Sequence, residues 1–223
     1  AEPLFRSVMI SVVNGFPKPN VHYLSNGAIA ITVDDPSSKI SSLYVFVRTG
    51  SVFEDEVIGS GASHYLEHLL AGGTTSLKEE KEYRKIIDEL GGAYNAYTSY
   101  DHTAYYIHTS SNNALRALQT LYEWTVHGDW TATEFQRENG VIKKEMERAK
   151  SNIDRQIYQN AQQLFYQTSP YAYPILGHEE IFDKLTDSDL KRYYKTRYVP
   201  ENMVIVVGGD ISRNVIVNYI EET

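Results

Sequence analysis

Hydrophobic positions change period along this chain. In the first third they alternate. Residues 22–24 and 28–33 read as strands flanking Ser25-Asn26-Gly27, and Asn-Gly between such segments is a strong hairpin signal. Leu43, Val45 and Val47 alternate with Tyr44, Phe46 and Arg48, the pattern of a half-buried strand. Helical spacing then takes over. Gly59 to Gly61 opens a helix that ends near Gly72-Gly73, and a second helix covers about 77–90 until Gly91-Gly92 stops it. Segments 94–98 and 103–109 read as paired strands around Ser99-Tyr100-Asp101, followed by a helix over 114–126 with Ser110 or Ser111 as its cap. Thr133 with Gln136 fits a capping box at the head of one long helix, about 134–166. Gly140 lies inside it, at about 1 kcal/mol relative to Ala. A loop spans about 171–174. Thr186 with Asp189 is a second capping box, for a helix to about residue 194. Residues 203–207 form a nearly continuous apolar strand, and Gly208-Gly209-Asp210 turns the chain into a terminal helix from about Arg213.

Strands and helices mixed in this way, with hairpins, predict an α+β fold: an antiparallel or mixed sheet with helices packed on it. The chain has 223 residues, and neither a low-complexity linker nor a short repeat interrupts it, so one domain is expected. A formal charge of −8 argues against a general affinity for nucleic acid or anionic membranes. No apolar run approaches the roughly 20 residues that span a bilayer. The absence of cysteine removes disulfides, thiolate metal sites and cysteine nucleophiles together. The opening Ala1-Glu2-Pro3, without Met, fits a mature form after signal removal or an artificial start.

The segment His64-Tyr65-Leu66-Glu67-His68 carries the most chemistry. On a helix, His64 and His68 lie one turn apart on one face, and Glu67 falls on the same side. Two neutral imidazoles there can grip one metal ion, and the pattern H-x-x-E-H is the reverse of the commoner zinc-protease order. A hydrolytic zinc site usually has three protein ligands and one open position. The helix around His64 offers no third His, whereas the long helix downstream offers Glu134, Glu138, Glu145 and Glu147. Glu138 and Glu145, two turns apart, share a face. As isolated residues they read equally as solvated helix charges, with Arg148 a surface partner for Glu145. The remaining histidines, such as His22 and His102, have no partner spacing and read as strand, helix-end or surface residues.

The stretch from Glu138 to Arg148, 77 residues after His68 at Glu145 (145 − 68), resembles the second signature of the pitrilysin/insulinase-type zinc peptidases, the inverzincins. Further stretches resemble the same family. These are Arg48-Thr49-Gly50-Ser51 with Glu54, the run from His64 to Thr74, Gly91-Gly92-Ala93-Tyr94-Asn95-Ala96-Tyr97-Thr98, and Tyr198-Val199-Pro200-Glu201-Asn202-Met203 before Gly208-Gly209-Asp210. Ala71-Gly72 departs from a bulkier, more basic pair often found there. The resemblance runs along nearly the whole chain.

The resemblance implies a two-layer, mostly antiparallel LuxS/metallopeptidase-like domain and one zinc ion held by His64, His68 and Glu145. Glu67 would be the catalytic base, and Glu138 would orient a ligand from behind. It further implies an extended peptide or unfolded protein substrate paired to a sheet edge through Asn95, Ala96 and Thr98. Family enzymes enclose substrate between homologous halves, so the chain is expected to be an amino-terminal zinc-bearing half, or one subunit, that needs a second. The competing expectation is a non-catalytic structural or peptide-binding relative within a larger assembly. Such relatives often lack a ligand or the base, and here all four positions are filled.

Overall fold

The structure is a computed structural model that describes residues 17–222; Ala1-Glu2-Pro3 lies outside them. Six strands form one sheet: β1 (Asn20–Tyr23), β2 (Ile29–Asp34), β3 (Ile40–Val47), β4 (Ala93–Thr98), β5 (Thr103–Ser110) and β6 (Met203–Gly209), in the order β1-β2-β6-β3-β5-β4. All neighbours are antiparallel except β2 and β6. The hairpin at Asn26-Gly27 joins β1 to β2 as expected, with Gly27 at φ 91°.

Strand alternation decides which face is covered. Along β3 every second residue from Ser41 to Val47 is buried, and β6 repeats the pattern with Met203, Ile205 and Val207. These side chains meet the helices. The opposite face carries Tyr44, Phe46, Tyr106 and His108 as a half-buried aromatic ladder, Tyr44 stacking on Phe46 and Tyr106 at 5.5 and 5.0 Å.

Eight helices accompany the sheet among the described residues: α1 (Ala62–Leu70), α2 (Glu80–Leu90), α3 (Ala114–Val126), α4 (Ala132–Ser151), α5 (Ile153–Tyr166), α6 (Glu179–Phe182), α7 (Asp187–Arg197) and α8 (Arg213–Glu222). In α1 the buried apolar positions are Ala62, Tyr65, Leu66, Leu69 and Leu70, the i, i+3, i+4, i+7, i+8 stripe of a core helix, with polar Ser63 buried beside them. Each fully buried Leu contributes about 1.5–3 kcal/mol. What remains for the other face is His64, Glu67 and His68. Tyr65 is the bolt between α1 and α4: its ring stacks on Phe135 at 5.0 Å and on Phe182 of α6 at 5.3 Å, and its hydroxyl donates to the Phe135 carbonyl.

Three local expectations change. The capping box of α4 is Thr131 with Glu134, not Thr133 with Gln136. Both pairs have the right spacing, but the Glu134 carboxylate is the stronger acceptor. It takes Thr131 N–H at 2.7 Å and Thr74 N–H at 3.0 Å, fixing the turn after α1 as well. The long helix over 134–166 is two helices. Asn152, at φ −95° and ψ 109°, ends α4 and caps α5 by accepting Arg155 N–H at 3.0 Å. Neither Ser110 nor Ser111 caps α3; a 3-10 turn at Ser111–Asn113 precedes it, and Ser111 Oγ bonds Ser41 Oγ instead. The Thr186–Asp189 box is present as expected.

Candidate metal centre

His64 and His68 project from α1 toward Glu138 and Glu145 on α4, because Tyr65 and Phe135 lock those two helices face to face. The Nε2 atoms of His64 and His68 each lie 3.6 Å from Glu145 Oε2. One ligand atom from each of the three residues lies within 4.8 Å of the other two. Ligand atoms about 2.1 Å from a tetrahedral ion are about 3.4 Å apart, so this trio has the dimensions and the donor set of a zinc site. Burial holds His64 neutral, its pKa pushed down to about 3 with the charge on His68 adding to the effect. Neutral imidazole is the form that binds metal.

Glu138 does not join the trio. Its Oε2 lies 3.1 Å from His68 Nδ1, on the far side of the ring from Glu145. Its Oε1 accepts from Arg137 Nε at 2.8 Å, and Arg137 also reaches Glu80 at 2.8 Å. Burial opposes the charge on His68, but the hydrogen bond it donates to Glu138 and the charges of Glu145 and Glu67 outweigh it and raise the pKa. His64 Nδ1 is buried and has no hydrogen-bond partner among the described residues.

Glu67 stands beside the trio and is held separately: Thr98 Oγ1 donates to Glu67 Oε2 at 2.8 Å. Burial lifts the Glu67 carboxyl above its ordinary range, against that hydrogen bond and the charge on His68. Thr98 closes β4, the edge strand of the sheet, so the sheet edge and the α1 carboxylate meet at this contact. Ser99 N–H donates to His102 at 2.8 Å and sets the phase of the β4–β5 ladder. By antiparallel alternation, Tyr94, Ala96 and Thr98 turn their N–H and C=O groups to the open edge. The Asn95 side chain caps one of them, its Oδ1 accepting from Ala96 N–H at 2.9 Å.

Two cavities flank this contact along β4. One of about 280 Å³ lies at the Tyr94 end, bordered by Glu80, Arg137 and Glu138. The other, about 550 Å³, lies at the Thr98 end under α5, with Tyr100, Arg155, Tyr158 and Tyr173 in its wall. Residues of both α4 and α5, which part at Asn152, line this second cavity.

Several contributors lay beyond sequence reasoning. Arg137 as the clamp on Glu138, and Thr98 as the support of Glu67, depend on which elements meet. Glu54 is a third. Gly61, the αL residue before α1, has no side chain with which to cap the helix. Buried Glu54 does so from a distance, accepting Ser63 N–H at 2.9 Å and Gly61 N–H at 3.2 Å. Burial pushes its carboxyl up to about 7, in spite of these donors. Ser63 Oγ and Thr49 Oγ1 both bond Tyr193 of α7 at 2.7 Å beside it. The one available signal was a Glu seven residues before a glycine helix start. The supposed surface pair of Arg148 with Glu145 is absent.

Comparison with known proteins places the chain in a family. The family model described as insulinase (peptidase family M16) matches residues 29–179, and a model described as peptidase M16 inactive domain matches 184–223. An uncharacterized zinc protease of Bacillus subtilis is 31% identical over 187 residues, covering 84% of this chain and 45% of that protein. A probable mitochondrial-processing peptidase subunit beta of Arabidopsis thaliana is 29% identical over 92% of this chain and 38% of its own length. The chain thus spans less than half the length of either relative. The crystal structure of a protease from Helicobacter pylori superposes with a TM-score of 0.85 at 27% identity, covering 93% of this chain and 50% of that one. With its H-x-x-E-H helix, its paired glutamates on α4 and a family model that matches most of its length, the chain belongs to the insulinase-type peptidases of family M16.

Proposed function

We propose that this chain is the zinc-bearing domain of a metalloendopeptidase that hydrolyses extended peptides, with His64, His68 and Glu145 as the ligands of one zinc ion and Glu67 as the base. One observation carries the reading. Three neutral or anionic donors converge to within 4.8 Å, while a fourth group, Glu67, stands beside them held by Thr98 instead of joining them. A zinc ion held by the trio would polarise a peptide carbonyl and bring the pKa of an attacking water toward about 7.

The chain's own residues do the rest. Thr98 fixes Glu67 through Oε2, which leaves Oε1 to accept the proton of the attacking water. A carboxylate whose pKa burial has raised is a better base, and once protonated it can hand that proton to the departing amine. Glu138 holds His68 by Nδ1, so that Nε2 faces the other ligands. The open edge of β4 offers the N–H and C=O groups of Ala96 and Thr98 to an extended peptide, with Asn95 beside them. A substrate carbonyl at Ala96 N–H takes the place of Asn95 Oδ1. Pairing of this kind recognises an extended backbone more than a sequence.

The relatives' greater length, and a similar fold in the crystal structure of the first half of a periplasmic protease from Escherichia coli, support a second homologous domain or subunit as partner. No helix among the described residues is long and apolar enough to cross a membrane.

Metal analysis tests the reading. About one zinc per chain is expected, falling to near zero in His64→Ala and in Glu145→Ala. Glu67→Gln is expected to keep its zinc and lose hydrolysis by about 10²- to 10⁴-fold. A chain that takes up no metal is instead a non-catalytic relative, and equal loss of zinc and activity in Glu67→Gln makes Glu67 structural.

A further inference from the structure

The planar guanidinium of arginine pairs readily with carboxylates and carbonyls. Arg48, Arg84, Arg116, Arg137, Arg192, Arg197 and Arg213 each hold an oxygen partner. Arg148 and Arg155 are the exceptions: their guanidinium groups make no hydrogen bond or ion pair with any described residue. Both line the same cavity, the one of about 550 Å³ at the Thr98 end of β4. Arg155 is close enough to His64 for its charge to disfavour the imidazolium.

The other end of the cleft is different. The cavity at the Tyr94 end also contains an arginine, but Arg137 is consumed by Glu80 and Glu138, each at 2.8 Å. One end of the cleft therefore adds two unpaired arginines to Glu67 and Glu145, while at the other end the arginine is already held by Glu80 and Glu138. On a chain of formal charge −8, two unpaired arginines stand in one concave site, in whose lining Glu67 and Glu145 are the carboxylates. In the wall beside them Gln162 Nε2 bridges the hydroxyls of Tyr158 and Tyr100 at 2.9 and 3.1 Å.

We propose that the cavity under α5 selects peptides carrying an acidic side chain at the position that falls there, with Arg148 and Arg155 as its partners. This rests on the peptidase reading above and names its substrate class. The guanidinium groups donate to the Asp or Glu carboxylate while the backbone pairs with β4. An amide loses the charge, and a Lys side chain is repelled.

Binding tests this apart from turnover. Fluorescent peptides that differ only by Glu, Gln or Lys at one position, scanned across a scissile bond mapped with the wild-type protein, are titrated onto zinc-loaded Glu67→Gln protein. One position is expected where Glu binds about tenfold more tightly than Gln and Lys binds more weakly still, with the preference shrinking as salt rises. The Arg148→Gln, Arg155→Gln double variant is expected to lose that preference while still holding about one zinc. Arg155→Glu is expected to turn the preference toward Lys. Peptides bound and cut without regard to charge at every position overturn this inference and leave the peptidase reading intact, as does a preference for Glu that survives the double substitution. A protein that neither binds nor cuts any peptide overturns the peptidase reading, and this one with it.

Discussion

His64 and His68 sit one turn apart on the same face, yet their second nitrogens meet different surroundings. His68 Nδ1 rests on Glu138, while that of His64 is buried without a partner among the described residues. If the carboxylate at Glu138 raises the basicity of His68 and fixes its ring, Glu138→Gln is expected to weaken zinc binding by about 10- to 100-fold in competition with a chelating dye, with the zinc-loaded fold unchanged. An unchanged affinity would reduce Glu138 to a helix charge. Glu54 makes a prediction about pH. Burial lifts its carboxyl from 4.5 to about 7. Between those values the folded chain retains a proton that the unfolded chain has released. From this group alone, stability therefore falls as pH rises across that window, by about 3 kcal/mol in all, and is level above it. Urea midpoints measured from pH 4.5 to 8 should show that slope in the parent chain and lose it in Glu54→Gln, whatever the substitution does to the absolute value. At this scale helical spacing places His64 beside His68 and Glu138 in line with Glu145, while the choice of Glu145 as third partner came from the family resemblance. Thr98 on Glu67 and Arg137 on Glu138 were not legible, since nothing local says which strand edge or which arginine will arrive there.

Helix α1 is held by its apolar stripe and by Tyr65, none of which involves the metal-facing side. The site is thus built before any ion binds. Stripping zinc with a chelator is expected to abolish hydrolysis while leaving the far-UV circular dichroism intact, and to lower Tm only by the binding energy withdrawn. Collapse of the helical signal would show that the metal holds the fold. The start of α1 is fixed to the cavity wall as well. Gly61 and Gly177 pass so close that a Cβ on Gly61 would lie 2.4 Å from the Leu176 carbonyl, and His178 N–H donates to Gly59 at 2.8 Å. Gly61 is also at φ 75°, so Gly61→Ala is expected to cost about 2–4 kcal/mol, read from a denaturation midpoint. Element identity was largely legible from periodicity, and boundaries less so. The two alternative capping boxes of α4 had equal spacing, and tertiary hydrogen bonds to Glu134 chose between them. The break at Asn152 was written as an Asn before an acidic first turn, but the surrounding residues favour helix strongly enough to hide it.

The chain spans less than half of the two relatives compared with it, and the proposal above gives it a second half as partner. We expect the isolated chain to bind zinc as tightly as the full-length protein while cleaving peptides slowly, and addition of the complementary half to restore turnover without altering zinc content. Robust turnover by the pure chain alone would contradict this. The order of strands in the sheet has a consequence for how such a chain is made. β6 is last in sequence but central in space, pairing in parallel with β2 and antiparallel with β3. Until it leaves the ribosome, β2 and β3 present unpaired edges to one another across an empty slot, and the rows that Met203, Ile205 and Val207 complete stay open to water. A nascent chain halted at Asn202 is therefore an unfinished sheet with two adhesive edges, not a smaller working unit, and its expected fate is aggregation or proteolysis. Synthesis of β6 closes this sheet, so the domain described here cannot complete its fold before that strand is made.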